Sequence, residues 1–518
     1  MNRNRREFLA AVGRGTVAAS IGTSLAADLG LSPARAADKD DALTFGKLEP
    51  LVCLMQETAA NKLLPALVEK LRDGTDLQTL VAAAALANAR TFGGEDYIGF
   101  HTMMALAPAW HMSRELPKDQ AALPVLKVLY RNSNRIQEFG GRKNEVLHAS
   151  LPPVHVSEAP SQLRETVRAK KVAEADGVLA VAARAGAQEA LDAVLCAVED
   201  NTEVHRVVLP YRAWDLLPVI GKEHALTLLR QSVHYCVKSE ANNWNRSTAG
   251  VRTLLPQLLE KYKLLDVRTS TAKRKADDDW VAKMSETLFK AKAEAAAGAA
   301  AEALADGFDP AALGEAICLA ANQLILRDNG RPKGQTASNK PEGSVHGDSI
   351  GVHACDSANA WRNLARVGTG RNAAACLILG AFQMAFDRVE RGGDFLKWEP
   401  YPRAEGREKV KEVNRGDLLK ETEGAIKEKD QARAAALVHR IGELGMPERP
   451  VFDLLLRYAL SQDGALHAEK YYRTVSEEFA AARPAFKWRQ LVGLARVTAS
   501  EYGYAAPGYK EACELLKG

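Results

Sequence analysis

Apolar residues recur every three or four positions along most of this chain, which is the spacing of one face of an α-helix. A clear example is the alanine-rich run LQTLVAAAALANAR, which starts at Leu77 and stops near Gly93 and Gly94. The alternation of apolar and polar residues that is typical of a half-buried strand does not extend over a useful length. The pattern therefore predicts an all-α protein with no significant sheet.

Three of the predicted helical segments share one design, in which a histidine opens the segment and an Ala-Trp pair follows. The histidines are His101, His205 and His353, and the tryptophans that come eight or nine residues later are Trp110, Trp214 and Trp361. A fourth segment, from His467, keeps the histidine and lacks the tryptophan. Four other histidines, His111, His224, His234 and His439, are interpreted as packing or surface residues.

A small-residue helix precedes each histidine segment and a further helix follows it, so the pattern predicts repeats of three helices. The histidines are 104, 148 and 114 residues apart, which is too irregular for tetratricopeptide or ankyrin repeats of about 34 and 33 residues. We therefore predict diverged helical repeats, that is, multi-helix bundles stacked in sequence. The charged segment 269–279 divides them into an N-terminal half, residues 37–268, and a C-terminal half, residues 280–518.

Residues 1–36 are predicted to be a signal peptide. Arg5 and Arg6 precede a weakly apolar stretch, and Ala34-Arg35-Ala36 forms an A-x-A cleavage site. The arrangement resembles the twin-arginine export signal. This resemblance implies the Tat export machinery as a partner and a periplasmic or otherwise exported location, with no transmembrane anchor after cleavage. Because that pathway carries folded proteins, it also favours an inserted cofactor; the alternative is an amphipathic N-terminal helix.

Charge and cysteine content narrow the functional classes. Cleavage removes five arginines and two acidic residues, so the net charge falls from +4 to +1. No basic stripe with interleaved aromatic residues is present, so we expect no nucleic acid as a partner. The seven cysteines form no C-x-x-C motif, and their spacing implies neither a haem attachment site nor a disulfide framework.

The candidate chemistry lies in the repeated histidines and in the segment SVHGDSIGVHACD, which starts at Ser344. Neutral imidazole is a common ligand of transition metals, and equivalent positions in repeats can converge in a helical bundle. The predicted metal ligands are His101, His205, His346, His353 and His467, with Asp348 and Asp356 as carboxylate ligands or orienting partners. The ion would be Fe, Cu or Zn. Irregular residues 328–343 are expected to form a lid or a wall of this site. Inherited packing of the histidines is the alternative.

The repeated histidine and Ala-Trp helices resemble the questin oxidase-like family, through His101, His205 and His353 with their tryptophans. The resemblance implies an all-α fold with histidines at the starts of helices; the family's namesake reaction is the oxidative ring opening of an anthraquinone. No residue here specifies that substrate. Two functions stay open at this point: an exported, histidine-ligated, metal-dependent oxidoreductase acting on a small organic molecule, and a non-enzymatic helical-repeat protein that binds a partner.

Overall fold

The chain is described here from a computed structural model, which covers residues 41–149, 151–242, 250–265, 274–390 and 392–517. The predicted signal peptide, and residues 269–273 of the predicted boundary segment, lie outside the described residues. Throughout the described ranges the regular elements are helices, and extended pairing is limited to four isolated bridges. The predicted all-α class is confirmed.

We number 23 α-helices in the described residues. The first five are α1 (Glu49–Glu57), α2 (Ala60–Arg72), α3 (Leu77–Phe92), α4 (Tyr97–Ser113) and α5 (Leu123–Phe139). Six more complete the N-terminal half: α6 (Ala159–Arg168), α7 (Val172–Ala185), α8 (Ala187–Val198), α9 (Val204–Ile220), α10 (Ala225–Ala241) and α11 (Val251–Lys261).

The C-terminal half contains the remaining twelve. Its first five helices are α12 (Asp278–Lys290), α13 (Ala293–Ala305), α14 (Pro310–Arg327), α15 (Ile350–Val367) and α16 (Arg371–Glu390). The last seven are α17 (Ala404–Lys411), α18 (Leu418–Lys427), α19 (Gln431–Glu443), α20 (Arg449–Ser461), α21 (His467–Ala481), α22 (Trp488–Glu501) and α23 (Tyr509–Lys517).

Four units of three helices form the centre of the molecule, as the repeat pattern predicts. In every unit the first helix, the histidine helix and the third helix all pack against one another. The units are α3–α4–α5, α8–α9–α10, α14–α15–α16 and α20–α21–α22. Their residues belong to one large apolar core that includes helices of both predicted halves.

These units close into a ring. The sequence predicts only that the units stack one after another, without closure. The histidine helices pack in cyclic order, α4 on α9, α9 on α15, α15 on α21, and α21 back on α4. The first helix of each unit also packs on the third helix of the next, in the pairs α3–α10, α8–α16, α14–α22 and α20–α5. The same pairing at all four junctions gives the ring a pseudo-fourfold axis.

The histidine helices run parallel around this axis. His101 and His205 face each other near the starts of α4 and α9, and ten residues further along each helix His111 Nε2 lies 3.2 Å from Asp215 Oδ1. Near the ends of α15 and α21, Arg362 Nη1 donates to Glu478 Oε2 at 2.5 Å. All four helix N-termini therefore point to the same end of the ring.

Small side chains allow the helices of a unit to approach closely. At Gly351 in α15, an added Cβ would lie 2.7 Å from the backbone Cα and N of Ile325 in α14. Only a residue without a side chain fits this contact. Among the described residues, no helix is both long and apolar enough to cross a membrane.

Candidate functional site

Four of the predicted site residues meet on the axis of the ring. The ring centroids are 4.7 Å apart for His101 and His205, 5.2 Å for His353 and His467, 5.2 Å for His101 and His467, and 6.0 Å for His205 and His353. All four separations are below ~8 Å, which is close enough for imidazoles that share a metal once loose geometry in the metal-free protein is allowed for. The four side chains, called the histidine ring below, come from four different units and from both halves of the chain.

Side-chain caps define the starts of three histidine helices, whereas the fourth, α21, begins after Leu466 without a side-chain cap. Asp96 caps α4 by accepting from the backbone N–H of Gly99, and Ser349 caps α15 by accepting from Val352 N–H. Glu203 caps α9 by accepting from the N–H groups of His205 and Arg206. Each cap sets the register, so that the histidine falls within the first five residues of its helix and its side chain reaches the axis.

Two of the imidazoles are oriented through Nδ1. His101 Nδ1 lies 2.7 Å from the backbone carbonyl of Tyr97, and His205 Nδ1 lies 2.7 Å from Glu203 Oε1. A carbonyl only accepts, so His101 Nδ1 carries the proton. Carbonyl and carboxylate partners of this kind fix the tautomer of metal-bound histidines and leave Nε2 for the ion.

Glu203 is ionised, so His205 Nδ1 also carries a proton. Burial alone would raise its pKa, but His205 and the hydroxyl of Tyr235, which donates at 2.7 Å, lower the pKa of Glu203 to about 2. The carboxylate thus accepts from His205 Nδ1. His205 Nε2 then lies 3.2 Å from His101 Nε2.

Two imidazoles of the histidine ring, those of His101 and His467, are held in the neutral form. Burial, assisted by the positive charge of Lys470, lowers the pKa of His101 and of His467 well below the ordinary value. With both Nδ1 atoms protonated, neutral His101 and neutral His205 would direct two Nε2 lone pairs at each other. A cation, either a metal ion or a proton on His205, relieves that repulsion.

The spacing of the nitrogens matches the ligands of one ion. Two ligands at about 2.05 Å from a tetrahedral ion are about 3.3 Å apart. The Nε2 atoms of His101 and His205 are 3.2 Å apart, and so are those of His353 and His467. Yet in the described part of the chain no three histidine, cysteine or acidic side chains already surround a common point as a metal requires. Bringing both pairs onto one ion would therefore take a rotation of at least one pair.

The other three predicted ligands lie outside the histidine ring. His346 is fully buried next to Glu501, with its Nε2 4.0 Å from Glu501 Oε1. Asp348 accepts from Arg331 at 2.6 Å and from Lys340 at 2.8 Å, so its carboxylate is already neutralised by two cations. Those two cations belong to segment 328–343, which therefore borders His346 through Asp348.

Asp356 lies one turn below His353, where it accepts from Thr474 Oγ1 at 2.8 Å. Burial raises the pKa of Asp356, and burial lowers the pKa of Lys470 to about 8 although Asp356 and Glu469 oppose that change. Lys470 is 3% exposed and lies three residues after His467. Asp356 and Lys470 thus add charged groups one helical turn after His353 and His467, and they add no ligand to the histidine ring.

Sequence reasoning missed Glu203, Lys470 and Glu501. Glu203 carried a usable signal, because an acidic residue two positions before a histidine at a helix start fits both an N-cap and a histidine partner. Lys470 was also visible as a charge on the buried face of its helix, one turn after His467. Glu501 reaches the site from the far end of α22, and no local pattern relates it to His346.

The repeated tryptophans do not form the environment of the histidines. Trp361 is buried and donates from Nε1 to Gln383 Oε1 at 2.8 Å, which joins α15 to α16. The histidine rings instead contact one another and the aromatic residues Tyr97 and Phe100. Cys355 is buried as well, and burial raises the pKa of its thiol well above the ordinary value.

The histidine ring comes closest to solvent at the start of α4. The side chain of His205 is 11% exposed, and the ring of Tyr97 lies over His101 and His205 at centroid distances of 4.4 Å and 5.9 Å. Tyr97 is 52% exposed and Ile98 is 41% exposed. Tyr97 is therefore an exposed residue that contacts two imidazoles of the histidine ring.

In comparisons with known proteins, no family model, no curated protein and no solved structure matches this chain. The likeness to the questin oxidase-like family therefore stays a prediction from sequence.

Proposed function

We propose that this protein is an exported oxidoreductase whose active centre is a transition-metal ion held by His101, His205, His353 and His467. The observation that carries the proposal is the meeting of four imidazoles on the pseudo-fourfold axis with two of their Nδ1 atoms already anchored. Imidazole donors suit Cu, Fe and Zn. Of these, Cu and Fe supply one-electron chemistry when bound.

The charges of the ligands and of Glu203 support a metal ion in the histidine ring. Four neutral imidazoles leave the full charge of the ion in place, whereas carboxylate or thiolate ligands would reduce it. Glu203 provides one compensating charge through His205, because its carboxylate accepts hydrogen bonds from the Tyr235 hydroxyl and from the N–H groups of His205 and Arg206. The positive ends of four helices and Lys470 oppose a metal ion and a proton alike. Because the imidazoles must be deprotonated to bind the ion, the centre would release its metal at low pH.

A small organic substrate is the class that the surroundings favour. Tyr97, which contacts the ring, and its neighbour Ile98 expose apolar surface that suits an apolar or aromatic molecule. The ring itself is nearly closed, since His101, His353 and His467 are each at most 7% exposed. A substrate would therefore react at the edge of His205 and Tyr97 rather than inside the helical bundle.

Metal analysis tests the proposal. The mature chain, purified without a histidine tag from a host that exports it, should contain Cu, Fe or Zn in stoichiometric amount. Single alanine variants of the four ring histidines should lose most of it, while His439→Ala on the surface of α19 should retain it. Metal-free protein that binds none of these ions, or equal metal in all variants, would leave the helical-repeat binding protein as the better account.

Export needs a test of its own. Replacing both Arg5 and Arg6 by lysine should leave the uncleaved precursor in the cytoplasm, because the twin-arginine pathway requires that pair. Cell fractionation and mass spectrometry would measure this. Normal export and cleavage of the variant would instead indicate a general secretion signal and would weaken the argument for a cofactor inserted before export.

A further inference from the structure

Segment 328–343 is a loop whose two ends touch. Gly330 and Gly343 lie at these ends, and both have a left-handed backbone with φ of +88° and +77°. A Cβ on Gly330 would lie 2.1 Å from the carbonyl oxygen of Gly343. Beside them, Arg331 N–H donates to the Ser344 carbonyl at 2.9 Å, and Gly343 N–H donates to the Arg331 carbonyl at 2.8 Å. The segment is therefore an Ω-loop, a compact loop with adjoining ends.

Two ion pairs hold the tip of this loop to the rest of the molecule. Arg331 Nη2 donates to Asp348 Oδ1 at 2.6 Å, and Lys340 Nζ donates to Asp348 Oδ2 at 2.8 Å. In the described part of the chain, the other hydrogen bonds of residues 331–342 stay within residues 331–344. Asp348 is therefore the point at which the loop is fastened.

Apolar contact contributes little to holding the loop in place. Residues 331–342 have the sequence RPKGQTASNKPE, which contains no large apolar side chain, and residues 332–338 are exposed. The side chains of Arg331, Lys340 and Asp348 are partly exposed, and ion pairs of that kind stabilise only weakly. Segments with few buried apolar contacts are the ones that open locally in folded proteins.

The chain behind the loop contacts the histidine ring. His346 is 0% exposed, with Nδ1 3.4 Å from Asp348 Oδ1 and Nε2 4.0 Å from Glu501 Oε1. Gly347 N–H donates to Glu501 Oε1 at 3.0 Å, and a Cβ on Gly347 would lie 2.5 Å from His467 Cβ. The aspartate that fastens the loop thus follows directly after a glycine that packs against a ring histidine.

We propose that segment 328–343 is a lid on the His467 side of the histidine ring, held shut by its two ion pairs with Asp348. The ring is nearly closed to solvent, so an ion or a small molecule enters it only when part of the surrounding structure moves. Val345 N–H donates to Ser500 Oγ at 2.9 Å, which keeps the chain behind the lid bound to α22 when the lid opens. The opening itself needs no metal, whereas the role of the lid as the entrance for the ion rests on the proposed function.

Hydrogen exchange of the metal-free mature chain, read by mass spectrometry, tests the two ion pairs. The double variant Arg331→Gln/Lys340→Gln removes both and leaves Asp348 in place. The hydrogen-bonded amides of the loop should exchange roughly 2- to 30-fold faster, as two weak ion pairs imply, while α14 and α15 should not change. Lys333→Gln is the matched control, since Lys333 is an exposed lysine of the same loop. A rise of less than twofold in the double variant would overturn the lid.

Modification of His346 by diethyl pyrocarbonate shows whether opening exposes the chain behind the lid. Its rate, mapped by peptide mass spectrometry, should rise in the double variant by about the same factor as the exchange. Burial and Lys340 lower the pKa of His346, although Asp348 and Glu501 outweigh them. Removing Lys340 therefore favours the protonated, unreactive imidazole, so a faster reaction reports exposure. Faster exchange with an unchanged rate of modification would mean that the loop does not cover His346, and the proposal would fail.

The rate of metal uptake separates the lid from the proposed function. When metal-free protein is mixed with Co²⁺, the visible absorption of the bound ion should develop faster in the double variant, with the same final stoichiometry of one. If neither protein binds Co²⁺, the proposed metal centre fails, while exchange and modification still decide the lid. If both bind Co²⁺ at one rate although the lid opens more often, the lid is not the entrance for the ion.

Discussion

Replacing Glu203 by glutamine should weaken metal binding by the histidine ring without removing any ligand. The carboxylate lies 2.7 Å from His205 Nδ1 and is ionised, so it makes His205 a stronger electron donor and fixes its tautomer. Glutamine keeps the size of the side chain but removes the charge. Second-shell partners of this type contribute about 10- to 100-fold in metal affinity, which corresponds to roughly 1.4–2.7 kcal/mol.

Glu203 also stabilises the fold, and the assay has to separate the two effects. Its carboxylate accepts from the backbone N–H groups of His205 and Arg206 and from the hydroxyl of Tyr235. Loss of charge should weaken these bonds and reduce the free energy of unfolding by about 1–2 kcal/mol. Denaturant titration of the metal-free variant measures that loss independently of metal affinity.

Competition with a chromophoric zinc chelator measures the affinity directly. Glu443→Gln is the matched control, because it removes a glutamate from the surface histidine His439 and should leave zinc affinity unchanged. If Glu203→Gln binds zinc as tightly as the wild type while its metal-free form is less stable, Glu203 is only a helix cap. The main structural indication that the histidine ring is preorganised for metal binding would then be gone.

Two further predictions concern stability. Burial opposes protonation of His234, but Asp176 and Glu95 outweigh it and raise its pKa to about 9. Because this pKa lies above the ordinary value, the charged histidine stabilises the fold fully below pH ~6.5. About 3 kcal/mol of the free energy of unfolding should be lost as the pH rises through 9. Denaturant titrations from pH 6 to 10 should show this fall in the wild type, and a similar fall in His234→Gln would contradict the assignment. Gly351→Ala should destabilise the fold by about 1–3 kcal/mol, because the added methyl group meets the Ile325 backbone. Gly298→Ala should stabilise it by about 0.5–1 kcal/mol, because the methyl group there enters open space. Thermal melts that rank the two variants the other way would refute the close packing at Gly351.

The sequence predicted the helices and the repeat because both depend on local information. A period of 3.6 residues and a capping residue act over a single turn, so the four histidine helices and their neighbours could be located from the printed chain. The closure of the ring could not be predicted in the same way. It depends on contacts between residues more than 100 positions apart, such as His101 with His205 and His353 with His467.

His346 and His234 illustrate what local patterns leave out. His346 lies seven residues before His353 in the sequence, yet it precedes the helix and packs beside Glu501, which belongs to α22. His234 is buried, which agrees with a packing role, but two carboxylates also hold it. It is buried between Asp176 and Glu95, which come from α7 and from the turn before α4. In both cases the partner that decides the role of the histidine is distant in sequence.

The pseudo-fourfold ring explains why one position of the repeat carries the candidate chemistry. Four copies of a side chain meet only on the axis, so a repeat that places histidine there brings four donors together without further adjustment. Symmetry alone does not distinguish ligands from inherited packing, since a packing residue would converge equally well. The difference lies in the asymmetric partners: Glu203 on His205 and the Tyr97 carbonyl on His101 hold two Nδ1 protons and leave two Nε2 atoms 3.2 Å apart. Carboxylate and carbonyl partners of this kind orient metal-bound histidines. Because Glu203 also caps α9, the zinc affinity of Glu203→Gln distinguishes the two roles.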